Sequence, residues 1–138
     1  NFLSNVLVAI IEKNAAEITR EWVHEVRTRI PVLSVHAEYL GEMNRKVLKA
    51  VRQGLQERGG SFDYLRFKDN GRDLRRLDIG FPDVLNAMAL SRKSIWMHVI
   101  RKKILSSPME IYITLELNNR IIFLYDRIIY HLSAGYME

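Results

Sequence analysis

The sequence predicts an all-α fold, a compact helical bundle of about five helices with globin-like packing. Three observations predict it. Apolar residues recur at three- and four-residue intervals along nearly the whole chain, the period of a helix with one buried face. Gly and Pro number only 7 and 3 among 138 residues, too few for the many turns of a sandwich or barrel. The strongest breakers, Pro31, Gly59-Gly60 and Gly80, fall between periodic segments. A hydrophobic share of 48% and a charged share of 27% suit a folded chain, and the length suits a single domain spanning residues 1–138.

The first periodic stretch runs from Phe2 to Ile30 through Leu3, Val6, Leu7, Ile10, Ile11, Ile18, Trp22 and Val26. Asn14 marks a break between two helices there, and Pro31 ends the segment because it pushes the preceding residue out of the α region. A second helix is expected from Ser34, as N-cap, to Arg58. Its buried stripe is Tyr39, Leu40, Met43, Val47, Leu48, Val51 and Leu55, and Gly59-Gly60 stops it. A third begins at Ser61 and ends before Gly80, with Phe62, Leu65, Leu74 and Leu77 apolar. Asn70-Gly71 inside it suggests two short helices, because glycine costs about 1 kcal/mol in a helix interior. The fourth starts at Pro82 and reaches about Leu105, with Val84, Met88, Ser91, Ile95 and Val99 on one face and Trp96 and Ile100 widening it. Ser107-Pro108-Met109-Glu110 is a capping-box opening for a last helix that meets no breaker before about Met137. That helix carries two apolar stripes, one of Leu117, Ile121, Leu124, Ile128 and Leu132, the other of Ile122, Tyr125, Ile129 and Tyr136. One stripe suffices for a core. The other is expected to meet a second subunit, with Ile122, Tyr125 and Ile129 as the candidate dimer face. Periodicity leaves open which stripe lies outermost.

Composition excludes several chemistries. With no Cys, there are no disulfides, thiolate metal sites or cysteine nucleophile, which fits a cytoplasmic protein. No apolar run approaches the ~18 residues of a membrane span. The opening Asn1–Ile11 has neither Met nor a basic leader, and it reads as a helix of a longer protein rather than a signal peptide. The net charge is +5, concentrated in the middle: Arg45 to Asp78 holds ten Lys/Arg against five Asp/Glu, and Arg92 to Lys103 holds five and no acid. Tyr64, Phe67 and Trp96 interleave this basic stretch as base-stacking residues would, but at core spacing and without a helix-turn-helix signature. No nucleic-acid or membrane partner is therefore expected.

No glycine-rich phosphate loop and no catalytic triad or carboxylate pair is identifiable, so the chain is not expected to be an enzyme. Glu21-x-x-His24 has metal-ligand spacing, but the second copy that a di-iron bundle needs is missing, and no metal or other cofactor is expected. Two histidines carry the alternative reading of a His-dependent module. His24-Glu25-Val26-Arg27-Thr28 looks like the phosphoacceptor box of sensor histidine kinases, although Arg29 stands where that box has Pro. His98 is the best-placed histidine for a haem ligand, with Arg101-Lys102-Lys103 close behind it implying an exposed edge.

Taken in order, three stretches resemble the N-terminal domain of RsbRD-type stressosome co-antagonists, a domain also found ahead of sensor histidine kinases. They are Ile18-Thr19-Arg20-Glu21-Trp22 with Val26-Arg27 and Ile30-Pro31; Gly71-Arg72 with Gly80-Phe81 and Asp83-Val84-Leu85 to Arg92; and Leu117-Asn118-Asn119-Arg120 to Tyr130. The resemblance implies an all-α bacterial sensory domain, usually without haem. It also implies a homodimer whose last helix passes a signal to a C-terminal output domain.

Overall fold

Helix α1 (Phe2–Arg29) runs 28 residues without the break expected at Asn14. The Asn14 amide satisfies itself inside the helix, donating to the Ile10 carbonyl at 2.9 Å, while Ile11 and Ile18 on either side are fully buried. The computed structural model describes residues 2–56, 63–101 and 107–138. Within them the chain is all-α, with five α-helices: α1, α2 (Ala37–Leu55), α3 (Arg66–Arg76), α4 (Phe81–Arg101) and α5 (Pro108–Tyr136).

The segment after Pro31 departs from expectation. Residues Pro31–His36 form a 3-10 helix, and α2 begins only at Ala37. Ser34 caps nothing with its side chain; the tight turn lets Leu33 reach the core while Val32 and Val35 stay exposed. The stripe expected for α2 is the buried one, apart from the half-buried Tyr39, and Asn44 joins it. The carbonyls at the C-terminal end of α2 are closed from two other helices. Ser4 Oγ of α1 donates to Leu55 O at 2.8 Å, and the Arg120 guanidinium of α5 donates to the same oxygen at 3.1 Å. The expected stop at Gly59-Gly60, the cap at Ser61 and the apolar Phe62 lie outside the described residues.

Helix α3 buries Phe67, Gly71 and Leu74, whereas Leu65 and Leu77 are exposed, so the expected apolar face is rotated. Asn70-Gly71 does not split the helix. Gly71 is buried because α3 lies against the end of α5, where any Cβ would run into the α5 backbone at Leu132 and Tyr136. Gly135 of α5 meets the α3 backbone at Lys68 in the same way. Asp78, with φ of 58°, turns the chain out of α3. Its N–H donates to Arg75 O at 3.0 Å, and the Ile79 N–H donates to Leu74 O at 3.1 Å, a Schellman closure made with Asp in the left-handed position usually held by glycine.

Helix α4 starts at Phe81, with Pro82 in its first turn, where its missing N–H costs nothing. Ser107 caps α5 as the sequence predicts, its Oγ accepting from the Glu110 N–H at 3.2 Å. Helices α1, α2, α5 and α4 pack each against the next around one core, and α3 docks on α5 from outside. At the centre stand Trp22, Leu48, Val51, Met88, Ile95, Ile121 and Ile128, all essentially inaccessible to water.

Candidate functional site

The four core helices are joined by a buried polar chain. Asn44 Nδ2 of α2 donates to Thr19 Oγ1 of α1 at 3.3 Å, and Ser91 Oγ of α4 donates to Asn44 Oδ1 at 2.6 Å. That spends the single Ser91 proton, so at 2.8 Å the Tyr125 hydroxyl of α5 must donate to Ser91 Oγ. Burial pushes the Tyr125 phenol above the ordinary tyrosine range, which keeps it a donor. Beside this chain, Trp22 Nε1 donates to Ala87 O at 2.9 Å and ties α1 to α4.

Tyr125 is therefore a core residue and not part of a dimer face, a correction to the stripe read from sequence. It lies four residues after Ile121 and three before Ile128, within about 60° of both at 100° per residue. Ser91 gives its hydroxyl a partner there. Ile122 and Ile129 are half-buried at the border of the core. Tyr136, the last member of that stripe, is also held by its own chain, its hydroxyl donating to Ile79 O at 2.6 Å.

The outermost face of α5 is carried by other residues. Tyr112, Leu115, Phe123 and Tyr130 are 60–69% exposed. Leu115, Ile122 and Ile129 are spaced by seven, as are Phe123, Tyr130 and the exposed Met137. A seven-residue spacing keeps a stripe on one side of a helix for its whole length. The signal for this face was present in the sequence as Phe123 and Tyr130, but a helix read as two stripes hides the third side.

Helices α1 and α4 meet at a second polar site. Arg101 grips the Glu21 carboxylate with two parallel bonds of 2.9 and 2.7 Å, and this fork holds the Glu21 pKa below the usual carboxylate value. His98, expected near an exposed edge, is instead 3% exposed, with Nε2 3.7 Å from Glu17 and Nδ1 3.4 Å from Glu21. The Nδ1 contact is not aligned as a hydrogen bond, and the atom has no other partner among the described residues. His98 thus faces carboxylates rather than an apolar slot in which a haem ligand would sit.

His24 is exposed, as its place opposite the core predicts. It borders an open groove of about 390 Å³ between α1 and α4, lined also by Glu21, Glu25, Leu90, Lys93, Ser94, Met97 and Arg101. Among the described residues no three His, Asp or Glu side chains converge as a metal ion would require. Tyr64 and Phe67 are buried, so neither offers a ring face for stacking bases. Among the described residues no helix is long and apolar enough to cross a membrane. Compared with known proteins, the chain matches no family model, no curated protein and no solved structure.

Proposed function

We propose that this chain is a non-catalytic signal-input and dimerisation domain of a bacterial signalling protein, whose last helix pairs two copies and carries a change of packing to an output domain. The observation that carries the reading is the outer face of α5. One side of this 29-residue helix builds the core, while the opposite side presents Tyr112, Leu115, Phe123 and Tyr130 to water. Soluble monomers rarely leave so many large apolar side chains uncovered along one side of a helix, here with the exposed Glu116, Asn119 and Asp126 between them. A two-fold pairing covers the same strip on both copies at once. The order of segments that resembles stressosome co-antagonist N-terminal domains supports the same reading, as does the polar chain through all four core helices. A fully satisfied buried chain of that kind ties the positions of the helices it joins to one another.

The test is light scattering on the wild type and on Phe123→Glu/Tyr130→Glu. The reading expects a dimeric wild type and a monomeric, fully helical variant. A wild type that stays monomeric, or a folded variant that stays dimeric, removes this face from the function.

A further inference from the structure

The groove between α1 and α4 has an uneven charge balance. Each carboxylate that lines it already has a cation: Glu21 is forked by Arg101, and Glu25 takes Arg29 at 2.7 Å. The other nitrogen-bearing groups of the lining, His24 on α1 and Lys93 on α4, are not matched. Among the described residues neither the Lys93 ammonium nor the His24 ring has an ion-pair or hydrogen-bond partner. Ser94 spends its proton on Leu90 O at 2.8 Å, so it cannot donate to a ligand from that rotamer. Leu90, half-buried, and Met97, 41% exposed, supply an apolar wall alongside. A volume of about 390 Å³ lies in the range of small-ligand pockets.

We propose that this groove binds a small amphiphilic anion, its carboxylate or phosphate head between Lys93 and His24 and its apolar part over Leu90 and Met97. Lys93 supplies the fixed charge, and the His24 ring adds an N–H donor. The matched carboxylates bound the site without repelling the ligand, because Arg101 and Arg29 cancel their fields at short range. A purely inorganic anion would use only the head of the site and should bind more weakly. The inference is independent of pairing through α5, since neither helix of the groove carries that face.

The experiment follows the Met97 methyl and His24 ring signals by NMR during titration with octanoate, and separately with inorganic phosphate. Octanoate should saturate both signals with a Kd tighter than about 10 mM, and phosphate should bind at least several-fold more weakly. Lys93→Glu should weaken octanoate about tenfold or more, while Lys49→Glu, the same charge change at an exposed position of α2, should leave it within about twofold. Three results overturn the proposal. One is the absence of saturation at either signal. Another is an equal loss in both variants, which reports net charge and not a site. The third is phosphate binding as tightly as octanoate, which denies the apolar wall a role.

Discussion

Replacing Gly71 with Ala tests whether α3 is held by backbone contact. A Cβ there would lie 2.8 Å from the Tyr136 nitrogen and 3.0 Å from the Leu132 carbonyl carbon, and would overlap the Leu132 carbonyl oxygen. All three are backbone atoms of α5 and cannot rotate away. The two helices must part by roughly 1 Å to reach ordinary contact distance. Phe67 and Leu74, both fully buried, are the main apolar anchors of α3. Burial of two such side chains is worth about 3–6 kcal/mol, and losing half of it costs about 1.5–3 kcal/mol. Strain from overpacking adds about 1–3 kcal/mol, and the better helix propensity of Ala returns about 1 kcal/mol. The net expectation is a loss of about 1.5–5 kcal/mol. Gly41→Ala is the matched control, since a Cβ there meets only Val23 Cγ2 at 3.6 Å and Thr19 Cγ2 at 3.9 Å. With no clash, propensity should dominate and stability should rise by about 0.5–1 kcal/mol. Urea unfolding followed by circular dichroism reads both. A Gly71→Ala protein as stable as the wild type, or two variants that behave alike, would refute the close approach of α3 and α5.

Three further outcomes follow from particular contacts. Ser91→Ala strands both the Asn44 carbonyl oxygen and the Tyr125 hydroxyl, and should cost about 2–4 kcal/mol, whereas Tyr125→Phe leaves the Ser91–Asn44 bond intact and should cost about 1 kcal/mol; equal losses in urea melts would break the donor order assigned to the chain. Asp78→Gly relieves a side chain at φ of 58° and should stabilise by about 0.5–1 kcal/mol, so a lower melting temperature would show that the Asp side chain has a role of its own. Glu21, held below the ordinary glutamate value of 4.5 first of all by its hydrogen bonds from Arg101, binds protons more readily when unfolded. Its stabilisation is therefore present above about pH 4.5 and fades as the pH falls through the lower folded value. The stability gap between wild type and Glu21→Gln should shrink across that window, and a gap independent of pH would contradict the fork.

Much of the helix order was legible in the sequence because periodicity and caps act locally. Ser107-Pro108 fixes the start of α5 by a contact three residues away, and the stripes of α2 and α4 need only a 3.6-residue period. What escaped depends on partners distant in sequence. The angle of Tyr125, close to Ile121 and Ile128, already set it apart from Ile122, but a buried hydroxyl needs a partner, and Ser91, 34 residues away, supplies it. Gly71 counts against a helix on propensity, yet the α5 backbone requires its missing side chain. Asn14 looks like a breaker until its amide is seen to bond Ile10 four residues back. His98 was read from the basic residues after it, whereas Glu17 and Glu21, far earlier in the chain, decide its setting. The outer face of α5 could have been found by marking Phe123 and Tyr130 as a third stripe at heptad spacing.

The most direct test of pairing through α5 uses the absence of cysteine from the native chain. A two-fold, parallel pairing along this face sets each residue of the seam beside its own copy. A disulfide forms only where the two Cα atoms come within about 7 Å. Phe123→Cys and Tyr130→Cys should each oxidise to a covalent dimer of retained helicity, while Lys49→Cys, exposed on α2, should remain a monomer. Cross-linking at neither α5 position above the Lys49→Cys level would contradict the account.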